Sequence, residues 1–310
     1  MMTKPDSQKQ NPSHKHHYIP QFYMKRWTGG DGQLEIYEKH PRGVNNRRGA
    51  PKSTGYQRKL YAMDGFPNEE ASAFEKVFFE PADTKASLAL AAMERGKFIS
   101  STELRSGWSR FLMGLLLRCP EDVAIFRDNW DDYLSDTSVE IEERYAAQRK
   151  KGDPETLVAM IKSRPLKDRQ LTMFRIFKTL LDHKNVGNHI NQMEWQVLDL
   201  SDARFQLLTS DRPIVRTNGL KGEGGHLGLA VSPTALFVAT NTKEFMKQIL
   251  RADPNELVRA NNERVVEGAA KYVYAADRTQ ARFIQNHIGR IPEPRLIEGI
   301  FRRRQTLSVG

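Results

Sequence analysis

The spacing of apolar positions changes character along this chain. Between residues 14 and 62 aromatic and β-favouring islands (Tyr18-Ile19, Phe22-Tyr23, Leu34 to Tyr37, Leu60-Tyr61) are parted by Gly, Pro and Asn. That pattern predicts strands and turns, with Gly29 to Gly32 as a turn before a strand at Gln33 to Glu38. Pro41 to Lys52 reads as an exposed basic loop. From about Glu69 three- and four-residue steps take over: Phe74, Val77, Phe78, then Leu88, Ala91 and Ala92, with Pro81 as a break. Ser100 and Glu103 are spaced as a capping box ahead of a helix whose Leu104, Trp108, Phe111, Leu112 and Leu115 form one stripe. An acidic helix from Pro120 to about Lys150 and two helices near 154–163 and 166–184 follow. Strands are then predicted at Trp195 to Leu200, Phe205 to Thr209, Ala235 to Ala239 and Tyr272 to Ala275. A glycine-rich loop spans 219–228, and helices fall near 243–251 and 254–270. A β-rich basic start, a helical middle and a mixed end make an α+β chain, predominantly helical, rather than an alternating doubly wound sheet.

Composition narrows the class. Of 310 residues 39% are hydrophobic and 28% charged, which is the globular range and supplies enough chain for a real core. The longest apolar run, Phe111 to Leu117, is too short to span a bilayer, and the polar stretch Met1 to Ser13 lacks a secretory pattern. The lone Cys119 excludes an intramolecular disulfide and fits a reducing compartment, so a cytoplasmic protein without a membrane partner is expected. The expected organisation is a disordered tail at 1–13, a single α+β domain at 14–290 and a basic tail at 291–310 that carries Arg302, Arg303 and Arg304.

Charge is unevenly spread. Residues 1–60 hold twelve Lys/Arg against four Asp/Glu, whereas residues 121–143 hold nine carboxylates against Arg127 alone. A basic segment of this kind attracts phosphate backbones, which makes nucleic acid a candidate partner. Facing or solvated charge is the alternative.

Two motifs carry chemistry. His14, His16 and His17 lie within four residues, and histidine serves as general acid, general base or metal ligand near neutrality. In an extended segment His14, His16 and Tyr18 share one face and His17 the other. No H-E-x-x-H or cysteine pair supplies further ligands, so a divalent metal is compatible with the chain but not indicated by a ligand motif. The second motif, Thr209-Ser210-Asp211-Arg212-Pro213, puts hydroxyls and a carboxylate in a turn, where an Asx-turn is the plainer reading. Ser232-Pro233 lacks the elbow of a hydrolase nucleophile, and the glycines at 222, 224, 225 and 228 do not form a P-loop.

The segment from His16 to Trp27, opening His-His-Tyr-Ile-Pro, resembles the opening signature of domain-of-unknown-function family 4238, a bacterial family. Asp31-Gly32 with the strand ending in Ile36-Tyr37, Phe74 to Glu80, Arg118-Cys119-Pro120, the Thr209 to Pro213 block, Ser232-Pro233 and Asn261 or Asn262 match its further blocks in order. Cys119, Trp27 and Arg212 depart from the family's usual residues. The resemblance implies no activity. It nominates His16, His17, Glu80, Arg118, Asp211, Ser232 and Asn262 as a polar set that could converge on a cleft.

Two functions compete. The first is a hydrolase acting on nucleic acid or another phosphodiester. His16 or His17 would be the acid or base, Arg118 would stabilise phosphoryl charge, and Asp211 or Glu80 would orient the histidine or hold a metal. Tyr18, Gln21, Glu80, Ser232 and Asn262 would then line the binding surface. The second is a non-catalytic binding module of a phage-defence or toxin system that uses the same residues. A purely structural role is the third reading.

Overall fold

A computed structural model describes residues 15–60, 79–95, 101–130, 139–217, 220–222, 224–291 and 295–299. The expectations for the 1–13 tail, His14, Phe74, Val77, Phe78, Ser100 and the arginines at 302–304 lie outside the described residues. In chain order the strands are β1 (Lys15–His17), β2 (Leu34–His40), β3 (Gly43–Gly49), β4 (Tyr56–Arg58), β5 (Glu194–Asp199), β6 (Thr209–Ser210), β7 (Ile214–Arg216), β8 (His226–Ser232), β9 (Ala235–Thr240) and β10 (Tyr272–Ala275). The helices are α1 (Gln21–Met24), α2 (Glu80–Glu94), α3 (Thr102–Leu117), α4 (Pro120–Asp128), α5 (Val139–Gln148), α6 (Leu157–Ser163), α7 (Leu166–Leu181), α8 (Lys184–Gln192), α9 (Lys243–Leu250), α10 (Pro254–Glu267) and α11 (Ala281–His287). None of them is long and apolar enough to cross a membrane. The α+β class holds.

The strands form two four-stranded antiparallel sheets, ordered β3-β2-β10-β6 and β5-β9-β8-β7, and a two-stranded ribbon that pairs β1 with β4. Short β6 and β7 are edge strands of different sheets, so Asp211-Arg212-Pro213 is where the chain leaves one sheet for the other. Pro213 suits that position, because it has no N–H for a ladder to lose.

Helix α3 carries the predicted stripe: Trp108, Phe111, Leu112 and Leu115 are buried, with Leu104 packed against them. Trp108 meets Phe237 of β9 edge-on at 5.3 Å, which docks the helix on the second sheet. Its cap is Ser101, whose hydroxyl accepts from Leu104 N, while Glu103 pairs with Lys85 instead of closing a capping box. Pro81 does not break a helix but sits in the first turn of α2, where a missing N–H costs nothing. Helices α2 and α3 approach so closely that a Cβ on Gly107 would overlap Lys85.

Other boundaries are corrected. The basic loop at 41–52 contains β3, paired residue for residue with β2. Its polar sequence shows no alternation, and the apolar partner strand supplies the order. Residues 205–208 are not a strand, and only Thr209–Ser210 pairs. The acidic helix is divided into α4 and α5, and α8 was not anticipated. The 291–310 tail begins too early: Ile297 is fully buried, and Arg295 pairs with Asp122 at 3.1 Å.

Candidate functional site

The β1–β4 ribbon decides what each N-terminal histidine can do. Register sets Lys15 opposite Arg58 and His17 opposite Tyr56 on one face, with His16 and Gln57 on the other. The Gly55 carbonyl, in a turn with φ +62°, accepts from Tyr18 and Ile19 N–H and pins the ribbon. A side chain at Gly55 would be strained and would press on Ile19 and Met24. His16 is therefore buried, while His17 is half-buried with its ring 5.5 Å from Tyr56. Burial, then Lys15, hold the proton affinity of His17 below the ordinary histidine value, with Arg118 adding to this; a hydrogen bond to the Lys52 backbone opposes them. Among the described residues its Nε2 has no hydrogen-bond partner.

Arg118 caps the C-terminal end of α3 and is 1% exposed. Its guanidinium lies 5.4 Å from the ring of Phe79 and 5.7 Å from that of Phe111. Nη1 donates to Asp83 Oδ1 at 3.2 Å, but among the described residues Nε and Nη2 have no acceptor. A buried guanidinium ordinarily satisfies its donors, so two spare N–H groups leave capacity for an anion. Burial, which outweighs the pull of Arg118, raises the proton affinity of Asp83, and Glu80 adds to the rise. Asp83 and Glu80, one turn apart on α2, line a cavity of about 490 Å³ with Phe22, Thr84, Ser87 and Leu88. The Gly107 contact holds α2 against α3 and so sets Asp83 beside Arg118. Asp83 was missed from sequence; its signal is the three-residue step from Glu80, which places both carboxylates on one helical face.

The other nominated residues have hydrogen-bonding roles of their own. Asp211 is buried, and its oxygens accept from Ala270 N (2.9 Å), Lys271 N (2.7 Å) and Tyr272 N (2.9 Å). Burial pushes its pKa up to about 6 against those three bonds. It ties the β6–β7 crossover to the start of β10 through these three backbone partners. Asn262 is buried and clamps residues 206–208: its Oδ1 accepts from Leu208 N, and its Nδ2 donates to Gln206 O. Ser232 accepts from Thr234 N within the β8–β9 turn. Tyr18 packs in the core, and Gln21 stands half-buried on α1. Cys119 is buried, and burial raises its thiol pKa, which makes it a poor nucleophile. Arg118 pairs with Asp83 beside Glu80, and His17 feels the Arg118 charge, whereas Asp211 and Asn262 are engaged in hydrogen bonds of their own. Among the described residues no group of three or more His, Cys, Asp or Glu is placed to hold a metal ion.

The family model described as "Protein of unknown function (DUF4238)" matches residues 15–279, and the chain belongs to that family. No curated protein matches the chain. No solved structure matches it either.

Proposed function

We propose that the chain is a cytoplasmic hydrolase of phosphodiesters, with nucleic acid as the substrate class and His17, Arg118 and Asp83 as its working groups. The observation that carries this reading is the pair of unused functions: the unpartnered Nε2 of His17 and the two unpartnered donors of Arg118. In the proposed reaction Nε2 takes a proton from water, which attacks phosphorus. The spare guanidinium donors receive the charge that develops on the phosphoryl oxygens, in low-dielectric surroundings where such bonds count most. Asp83, pushed toward its protonated form, gives its proton to the departing oxygen as the P–O bond breaks. Oppositely displaced proton affinities are the usual mark of a base and an acid. Glu80, on the same cavity wall, adds to the rise in the proton affinity of Asp83.

The test is turnover of fluorogenic RNA and DNA oligonucleotides, single- and double-stranded, with Mg²⁺, Mn²⁺ or EDTA. His17→Gln should lower kcat about 100-fold or more, the usual contribution of a general base, while the protein keeps its native secondary structure by circular dichroism. Full activity in that variant would overturn the assignment. Binding without turnover in the native protein would favour the alternative, a non-catalytic binding module built on the same residues.

A further inference from the structure

A second cavity, of about 640 Å³, lies between the 204–206 segment, α10 and α11 and shares no lining residue with the His17–Arg118 cluster. Its volume is that of a small-molecule site. Phe205 and Phe283 both line it, and Phe205 is 44% exposed, which is unusual for so large an apolar side chain.

The polar groups around these rings divide into spent and unspent. Arg259 is held by Glu256 and Glu263. Asn262 donates to Gln280 Oε1 at 3.1 Å, and Gln280 donates to Gln206 O at 2.7 Å, so the floor is locked by its own hydrogen bonds. Arg204 differs. Its guanidinium lies 5.2 Å from the Phe205 ring, and among the described residues it has no carboxylate partner. Its backbone N–H occupies the Asn255 side-chain oxygen at 2.8 Å, which leaves the Asn255 amide N–H₂ as a donor at the mouth. The cavity thus joins aromatic walls, one amide donor and one uncompensated cation on a preformed floor.

We propose that this cavity binds a nucleotide, with its base against Phe205 and Phe283, a ring acceptor on the Asn255 amide and its phosphate on Arg204. Every base offers a π-face to an aromatic side chain, and a ring acceptor suits the amide donor. A phosphate takes the guanidinium's parallel N–H pair. The nucleotide is either free or part of a single strand, and the site is independent of the phosphodiester reading.

Isothermal titration with AMP, adenosine, ribose 5-phosphate and hexameric oligo(A) tests it. AMP should bind about tenfold tighter than adenosine, and ribose 5-phosphate far more weakly than either. Arg204→Ala should reduce AMP to the level of adenosine, and Phe205→Ala should weaken both about tenfold. Both residues are exposed, so the variants should fold. His17→Gln should bind AMP as the native protein does, which separates failure of this site from failure of the hydrolase reading. Tenfold tighter, Phe205-dependent binding of the hexamer would assign the site to single strands, and equal binding would assign it to free nucleotide. Ribose 5-phosphate binding as well as AMP, unchanged affinity in Phe205→Ala, or no binding of AMP at millimolar concentration would overturn the proposal.

Discussion

Asp211 and Arg118 are both buried ionisable groups that the sequence presents in equally polar blocks, but their surroundings treat them in opposite ways. Asp211 spends both oxygens on three backbone N–H groups and ties the β6–β7 crossover to the start of β10. Arg118 spends one nitrogen on Asp83 and keeps two donors unused. A buried charge with every valence filled holds the fold together. One with valences to spare has been left unsatisfied at a cost that folding alone does not explain.

The sharpest way to break this comparison is to remove both groups and compare stabilities. Asp211→Ala strands the N–H groups of Ala270, Lys271 and Tyr272, each costing about 1–3 kcal/mol if water cannot reach it. We expect a loss of about 4 kcal/mol in chemical denaturation. Arg118→Met strands only Asp83, whose side chain is 23% exposed and already inclined to protonate. That loss should stay near 2 kcal/mol or below, with methionine recovering part of the packing between Phe79 and Phe111. Equal losses would mean that Arg118 is as structural as Asp211.

Next in size is the dependence on pH, which should slope in opposite directions in the two regions. The Asp211 pKa is raised to about 6, so its folded form binds a proton that the unfolded chain has already released. Its contribution is present at about pH 4 and lost as pH rises through about 6, a change of about 3 kcal/mol. His17 is lowered, so its contribution is present above the ordinary histidine value and lost as pH falls through its folded pKa. The stability difference between native protein and Asp211→Ala should therefore shrink from pH 4 to 7. The difference between native protein and His17→Gln should grow over the upper part of that range. Parallel slopes would remove the electrostatic contrast.

Local spacing was legible where one element decides the outcome. The α3 stripe follows from helical period alone, and Trp108, Phe111, Leu112 and Leu115 are buried as it predicts. Pairing partners distant in sequence were not legible. Nothing near Asp211 announces that its acceptors serve residues 270–272, and β3 owes its order to β2 rather than to its own polar sequence. The candidate site was half visible for the same reason. His17 and Arg118 stand in recognisable blocks, but Asp83 matters only because α2 and α3 close over Gly107.

The smallest expected effect concerns the basic residues of 1–60, which a composition argument treats as interchangeable. Arg48 is committed to Asp31 at 2.8 Å and to the buried Glu35 at 3.1 Å, and Arg47 donates to the Ser53 carbonyl at 3.0 Å. Arg58 is exposed, stands opposite Lys15 on the His17 face, and has no ion pair among the described residues. Like charges facing each other across a ribbon disfavour the pairing, and a bound phosphate would relieve them. If single-stranded nucleic acid reaches His17 over this face, Arg58→Ala should lower the slope of log affinity against log salt by about 0.7, the value for one lost phosphate contact. Arg47→Ala with Arg48→Ala should change the slope by less than half of that, because those guanidiniums already neutralise or hold protein groups. A larger change from the Arg47/Arg48 pair would place the nucleic acid on β3 and not on the histidine ribbon, and would detach the basic segment from the proposed chemistry.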